Sequence, residues 1–372
     1  MKILYVTTIG LTMIFFKSFV KELIDAGNTV EIATNESEIP VPECYREWGC
    51  KVHQISCSRN PLKKSSITAV KEIKALVERE KYDIVHCHTP VAAMCTRLAC
   101  RKSRKNGTKV LYTAHGFHFY KGAPLLNWLI YYPVEKVCSY FTDTLITMNK
   151  EDFALAKKKM KAKKVEYVPG VGIDLQKFES KSKIDPQKCT RVAKCEDLGI
   201  PSDKIWLLNI GELIPRKNQE TLIRAVADIN VISLTIAGQG PLYDKLERLI
   251  RELDISDRVK LIGYRTDISE LCKLCDIFAF SSIHEGLPVS VMEAMASGLP
   301  CMVSNIRGNT DLIDNNGGIL FDPHSVDDCK DALNSLLKSD FTKMGEYNAE
   351  KIKSFSVEKV NEMMMGIYYE KN

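Results

Sequence analysis

The stretch HEGLPVSVMEAMASGLP, from His284 to Pro300, sets two carboxylates in an otherwise apolar segment. Pro288 suits the first helical position, where its missing N–H costs nothing, and Gly298 followed by Pro300 suits the stop. Val289, Val291, Met292, Ala294, Met295 and Ala296 leave almost no polar face, so the helix is expected to be buried. Glu293 is then a carboxylate in an expensive place; ligand hydroxyls would supply the hydrogen bonds it needs. Glu285 stands before the helix, beside Gly286. At about 1.5 Å of rise per residue the two acids lie roughly 10–12 Å apart. A pair flanking one glycosidic bond needs about 5–9.5 Å. Between them lies the helix N-terminus, with Gly286 bare of a side chain and Leu287, Pro288 and Val289 around it, and its backbone forms an anion site. Hydroxyls, phosphate, hydroxyls is the outline of a nucleotide sugar. The alternative is that Glu285 caps the helix and Glu293 meets an arginine in the core.

Other strand ends offer smaller groups. GELIPRKNQ (211–219) presents Arg216 and Lys217 before a helix, where cations would neutralise a diphosphate or stand as exposed helix-start charges. Gly10 in TTIGLT lets a phosphate approach the backbone or makes a simple turn. AGQGP (237–241) has only Gly238 and Gly240, so the dinucleotide fingerprint is absent, as is a Walker motif. His115 in YTAHGFHFY ends a strand before a glycine, which suits either a structural histidine or a donor aimed at a ligand. His86 and His88 share one side of a strand without an evident third ligand, and Cys272 and Cys275 form a lone CxxC, so no metal site is expected. The aromatics of GFHFYKGAPLLNWLIYY suit packing between domains or contact with a lipid-bearing acceptor.

These groups need rigid strand ends to hold them. Strands and helices alternate from KILYVTT through TVEIAT, VHQI, DIVHCH, KVLYTAHG and TLITMN to VEYVPG. A second series runs from IWLLNIG (205–211) through ISLTIAG, VKLIGY, IFAFSS and PCMVS to GILF (318–321). The class is α/β, with two doubly wound parallel sheets and a ligand cleft expected between them. The first domain is read as 1–178 and the second as 179–355, with a linker within 170–191 and the last helix, 356–372, crossing back to the first.

The net charge of +5 hides an asymmetry: residues 1–178 hold 28 Lys+Arg against 17 Asp+Glu, and residues 179–372 hold 24 against 30. A basic half suits an anionic membrane surface or a phosphorylated acceptor, and no module for reading nucleic acid accompanies it. No signal peptide is expected, since Met1-Lys2 leads straight into KILYVTT, and no run of about 18 apolar residues offers a bilayer span. Thirteen scattered cysteines argue for reduced thiols in the cytoplasm.

Taken together, EGLPVSVME, GELIPRKN, YTAHG and GYRTD resemble the retaining glycosyltransferases of family 4, which have the GT-B fold of two facing Rossmann-like domains. The resemblance implies that Glu285 contacts hydroxyls of the donor sugar, Glu293 the ribose, Lys217 the diphosphate, His115 the donor sugar, and Tyr264 and Arg265 the nucleobase. Glu212 stands where the family carries an arginine, with Arg216 as its substitute, and SNIRGNTDLI departs from the family at Asn305, Arg307 and Asp311. HGFHFYKGAPLLNW further resembles bacterial enzymes of capsular and exopolysaccharide assembly. The implied reaction is metal-independent hexosyl transfer with retention, from a nucleoside-diphosphate sugar, commonly a uridine one, to a saccharide or lipid-linked acceptor at the inner face of the plasma membrane. No cofactor is implied. Rival readings are a sugar-nucleotide 2-epimerase and a catalytically silent nucleotide-sugar-binding subunit.

Overall fold

Runs such as ILYVTT and ISLTIA are apolar at successive positions, the pattern of strands covered on both faces. The computed structural model describes residues 1–37, 39–58, 64–179 and 190–370, so residues 180–189 of the expected linker and the last two of the expected final helix lie outside the described residues. The chain forms two compact units, Met1–Gly172 with Val357–Asn372, and Ile173–Ser356.

The first unit holds seven strands: β1 (Lys2–Ile9), β2 (Thr29–Asn35), β3 (Lys51–Gln54), β4 (Ile84–His88), β5 (Lys109–Ala114), β6 (Thr144–Thr147) and β7 (Lys164–Tyr167). They pair in parallel in the order β3-β2-β1-β4-β5-β6-β7. The second unit holds β8 (Ile205–Ile210), β9 (Ile232–Ala237), β10 (Val259–Leu261), β11 (Ile277–Phe280), β12 (Cys301–Ser304) and β13 (Gly318–Phe321). Their order is β10-β9-β8-β11-β12-β13, again all parallel. Each sheet therefore reverses direction of winding once, between β1 and β4 and between β8 and β11. Both are doubly wound Rossmann-like sheets, as expected.

Strand pleating sends alternate side chains to opposite layers. In β1, Leu4 and Val6 join a core with Val85, Val110 and the helices Lys64–Glu80 and Pro90–Ala99. Ile3 and Tyr5 face the other core, with Phe19, Val20 and Leu23 of the helix Lys17–Asp25 and Val360, Met364 and Tyr368 of the final helix, Val357–Tyr369. Fully burying such a side chain contributes about 1.5–3 kcal/mol. In the second unit Leu207 and Leu234 lie in one core, Trp206, Leu208 and Phe278 in the other. Cys272 and Cys275 are free thiols in that second core. Among the described residues no group of His, Cys, Asp and Glu is arranged to hold a metal.

The helix Leu125–Ser139 is unusual in what it turns inward. Trp128, Tyr131 and Tyr132 pack on the first core, so these aromatics serve packing within one unit. Beside them Glu135 accepts a hydrogen bond from Arg97 Nη1 at 2.8 Å and one from the Tyr112 hydroxyl at 3.3 Å. The Arg97 guanidinium lies 4.1 Å from the centroid of the Tyr112 ring, and Arg97 is buried. Removing one member of such a pair strands the other charge, whereas removing both does not. Glu135→Ala is expected to cost about 3–5 kcal/mol in urea unfolding, and the double variant Arg97→Met/Glu135→Leu much less. Equal losses in the two would show that the pair is not what ties this helix down.

Candidate functional site

In a doubly wound sheet the loops diverge where the strand order reverses, leaving a crevice beyond the carboxyl ends of the strands. In the second unit those loops leave β8 at Gly211 and β11 at Ser281. They are stitched together: the Ile283 N–H donates to Arg216 O at 2.9 Å, Ser282 Oγ to the same carbonyl at 3.0 Å, and Ser281 Oγ to Lys217 O at 3.0 Å. Asn218 follows in a left-handed conformation, φ 53°, and anchors the turn by donating to Pro323 O at 2.8 Å.

This stitching aims two cations at one carboxylate. Glu285 Oε1 accepts from Arg216 Nη1 at 2.6 Å, from Lys217 Nζ at 2.8 Å and from Ser282 Oγ at 2.7 Å. Lys217 Nζ also lies 4.7 Å from the Phe280 ring centroid, and its stem crosses Gly211, where an added Cβ would sit 3.4 Å from Lys217 Cδ. A third cation arrives from the loop after β12. Arg307 is buried, with Nη2 2.5 Å from His284 Nε2. Its loop is held by Ser304 Oγ donating to Ser282 O at 2.5 Å and Asn309 Nδ2 donating to Ser304 O at 2.9 Å. Gly308, at φ 79°, lies so close to the 284–288 turn that a Cβ would meet Gly286 O at 2.4 Å. Two cations, Arg216 and Lys217, thus converge on one acid, and such a pair suits an anion of more than one charge.

The helix after this turn spans Val289–Ala296, with Pro288 at the N-cap and not at the first helical position. No side chain caps it, so Glu285 is not its cap and the first amides face outward from the helix end beside Gly286 and Leu287. At the other end Gly298 N–H donates to Met295 O at 3.0 Å and Leu299 N–H to Ala294 O at 3.1 Å, a Schellman motif. The helix is not wholly buried. Val291, Met292, Ala294 and Met295 are, packed against β11, β12 and the helix Phe341–Lys351, while Val289, Ser290, Glu293 and Ala296 form a half-buried strip. Glu293 therefore meets no arginine; among the described residues it has no ion pair. Burial pushes its carboxyl up to about 7, with the positive charge of Lys177 working against that.

The remaining predicted residues separate. Gly238 is explained by chain packing: its N–H donates to Gly263 O at 2.8 Å, and a Cβ would stand 1.9 Å from Gly211 O. Tyr264 is 70% exposed. Arg265 makes a two-pronged pair with Asp267, at 2.8 and 2.5 Å, which with Lys194 holds that carboxyl well below the usual range. Gly10 and His115 belong to the first unit. A Cβ on Gly10 would lie 2.6 Å from Ile39 O, so the close approach there is made by the chain's own backbone. His115 Nε2 lies 3.2 Å from His88 Nδ1, and burial lowers its imidazole to about 4. His86, lowered to about 3 by burial, bonds Tyr368 at 2.6 Å and Thr113 at 2.8 Å. Sequence reasoning missed Ser281, Ser282, Asn218 and Asn309 as builders of the site and left Arg307 as a mere departure.

Comparison with known proteins places this arrangement. Residues 192–354 match the family of glycosyl transferases group 1, and residues 2–149 match the glycosyl transferase 4-like family. The chain is 36% identical over 314 residues to EpsD of Bacillus subtilis (strain 168), named as a glycosyltransferase, covering 78% of this chain and 81% of that one. It is 30% identical over 284 residues to an Escherichia coli protein named UDP-Gal:alpha-D-GlcNAc-diphosphoundecaprenol alpha-1,3-galactosyltransferase, covering 72% and 71%. Its fold is that of the crystal structure of Anabaena Alr3699/HepE in complex with UDP, with a TM-score of 0.80, 17% identity and 99% of each chain covered.

The raised Glu293 carboxyl has a consequence for stability. Between about 4.5, its ordinary value, and about 7 the folded state keeps a proton that the unfolded chain has lost, so stability falls as pH rises through that window. Glu293→Gln is expected to remove this decline, checked by denaturant unfolding of both proteins from pH 4.5 to 8. Parallel curves for the two would sink the assignment of a desolvated carboxyl.

Proposed function

The chain belongs to the group 1 glycosyl transferases, with a 4-like first domain, and from that premise we propose that it transfers a hexosyl group, with retention, from a nucleoside-diphosphate sugar to a saccharide or lipid-linked acceptor. The observation that carries the reading is the triple donation onto Glu285 Oε1 beside an uncapped helix start. A diphosphate brought to this place draws on Lys217, Arg216 and the helix amides together, and it frees Glu285 for sugar hydroxyls. As the glycosidic bond breaks, negative charge grows on the leaving diphosphate where these donors already point, so little reorganisation is needed. The leaving phosphate oxygen takes the acceptor's proton on the same face, which retains the configuration without a protein nucleophile, metal or cofactor.

The family's arginine position holds the exposed Glu212, and the buried Arg307 supplies the missing cation from another loop. Glu293 takes the ribose, the exposed Tyr264 and Arg265 the base, and the backbone over Gly286–Val289 the phosphates. Gly238 shapes the floor on which Lys217 lies. His115, neutral through burial, offers the sugar a hydrogen bond without charge, and Gly10 opens the corresponding turn of the first unit.

A uridine donor and a role in capsular or exopolysaccharide assembly are supported by the names of the relatives, one of which carries UDP-Gal and diphosphoundecaprenol in its name. Such an acceptor puts the enzyme at the cytoplasmic face of the plasma membrane, touching it through the basic first unit. In that unit a cavity of ≈ 360 Å³ lies where β1 and β4 diverge, lined by Thr8, Thr12, Thr89, His118, Tyr131 and Glu135 among others, and suits the polar head of the acceptor.

Thermal-shift screening against nucleotide sugars is expected to single out one donor, because a ligand of the folded state alone raises its stability with occupancy. With that donor, Lys217→Ala and Glu285→Gln are expected to lower turnover by about 10²–10³-fold when assayed below their melting temperatures, which should themselves fall because each change strands a charged partner. Arg307→Ala should chiefly weaken donor binding. Near-normal transfer in all three would overturn the assignment, and conversion of the donor without any acceptor would mark an epimerase instead.

A further inference from the structure

The helix Leu125–Ser139 is apolar on the side that faces away from its own core. Leu125, Leu126 and Leu129 are 74, 63 and 65% exposed, and Ile130, Val134, Val137 and the following Tyr140 are exposed as well. At 100° per residue these positions, with the exposed Pro133, cover one continuous half of the helix, in which the half-buried Lys136, near the edge of the arc, is the one charged side chain. The charged residue that a surface helix would normally show to water, Glu135, is instead the one buried against Arg97. A stripe of this kind on a soluble surface marks an interaction site.

The surroundings say with what. Residues 97–164 contain fifteen Lys and Arg against four Asp and Glu, which is the whole surplus of the first 178 residues. Of the four acids, Glu135 and Asp152 are buried, and Asp143 is paired with Arg104 and Lys163 at 2.8 Å each. The cations border the stripe directly. Arg104 Nη1 donates to Tyr140 O at 2.9 Å, Lys136 Nζ donates to Lys159 O, and Arg101, Lys102, Arg104, Lys105 and Lys163 line one shallow depression with Tyr140. A second copy of the chain would set this rim of like charge against itself.

We propose that this helix lies in the interface of an anionic bilayer, with its Leu/Ile/Val stripe among the acyl chains and the neighbouring cations on acidic headgroups. The proposal rests on the lipid-linked acceptor reading and names the element that brings the enzyme to its substrate. Ile130 and Val134 of the same stripe wall the ≈ 360 Å³ cavity, so a lipid whose tail stays in the membrane can present its head there.

Flotation of the full chain with vesicles of phosphatidylcholine alone, and of equal parts phosphatidylcholine and phosphatidylglycerol, tests it. The wild type is expected to float with the anionic vesicles and not the neutral ones, less so at high salt. Leu129→Glu/Val137→Glu should lower that binding at least about tenfold, and Lys102→Glu/Lys105→Glu should weaken it on anionic vesicles. Both variants should keep the wild-type melting temperature, the donor-induced shift and transfer to a water-soluble acceptor, which separates failure of docking from failure of the enzyme assignment. Undiminished flotation of Leu129→Glu/Val137→Glu would overturn the proposal. So would a wild type that ignores both vesicles and runs as a dimer which this variant splits, the stripe being then a subunit interface.

Discussion

One oxygen atom organises the second unit's chemistry. Glu285 Oε1 gathers an arginine, a lysine and a serine hydroxyl, and each donor sits on a loop whose backbone is pinned by its neighbour's side chains. A buried carboxylate with two cations costs less than two buried cations alone, so the acid keeps positive charge concentrated at a place where it would otherwise repel itself. That is the condition for binding a diphosphate and for stabilising it as a leaving group. The same atom thus answers a question of folding and one of catalysis.

The first unit uses an opposite device. There the charged pair, Arg97 with Glu135, is turned inward and wrapped by Tyr112, which leaves the outer face of the helix Leu125–Ser139 apolar but for Lys136 at its edge. Each unit therefore places its ions where they set geometry, one around an anion site and the other behind a surface stripe. The neutral histidines His86, His88 and His115 belong to this economy too, since burial holds all three below their ordinary titration range.

The strands were readable because sheets buried on both faces demand unbroken apolar runs, and the glycosyltransferase motifs were readable because their residues are contiguous. EGLPVSVME and GELIPRKN carry their chemistry on neighbouring positions. What joins them is not contiguous: Ser281, Ser282 and Arg307 act across sequence separations of 23 to 66 residues, and a serine at a strand end looks like any other polar terminus. The glycines show a second limit. Gly10 was read as either a phosphate approach or a simple turn, and sequence alone gives no sign that the atoms nearest it, like those nearest Gly238, include backbone carbonyls of the chain itself. Pro288 was misplaced by one residue, the usual uncertainty of a helix start. Glu293 was read as fully buried because an apolar helix gives no sign of which side is left half-covered.

The helix Val357–Tyr369 closes the first unit with residues made after the whole of the second. Tyr368 reaches His86 at 2.6 Å and Tyr5 at 3.1 Å in the middle of a core begun by the third residue of the chain. A polypeptide leaves the ribosome from its N-terminus, so the second unit is complete and able to fold while this core still waits for its last wall. A chaperone that shields the unfinished sheet, or a truncation ahead of Tyr368, acts on that interval: a product lacking the closing turn has its second unit intact and its first one open to water.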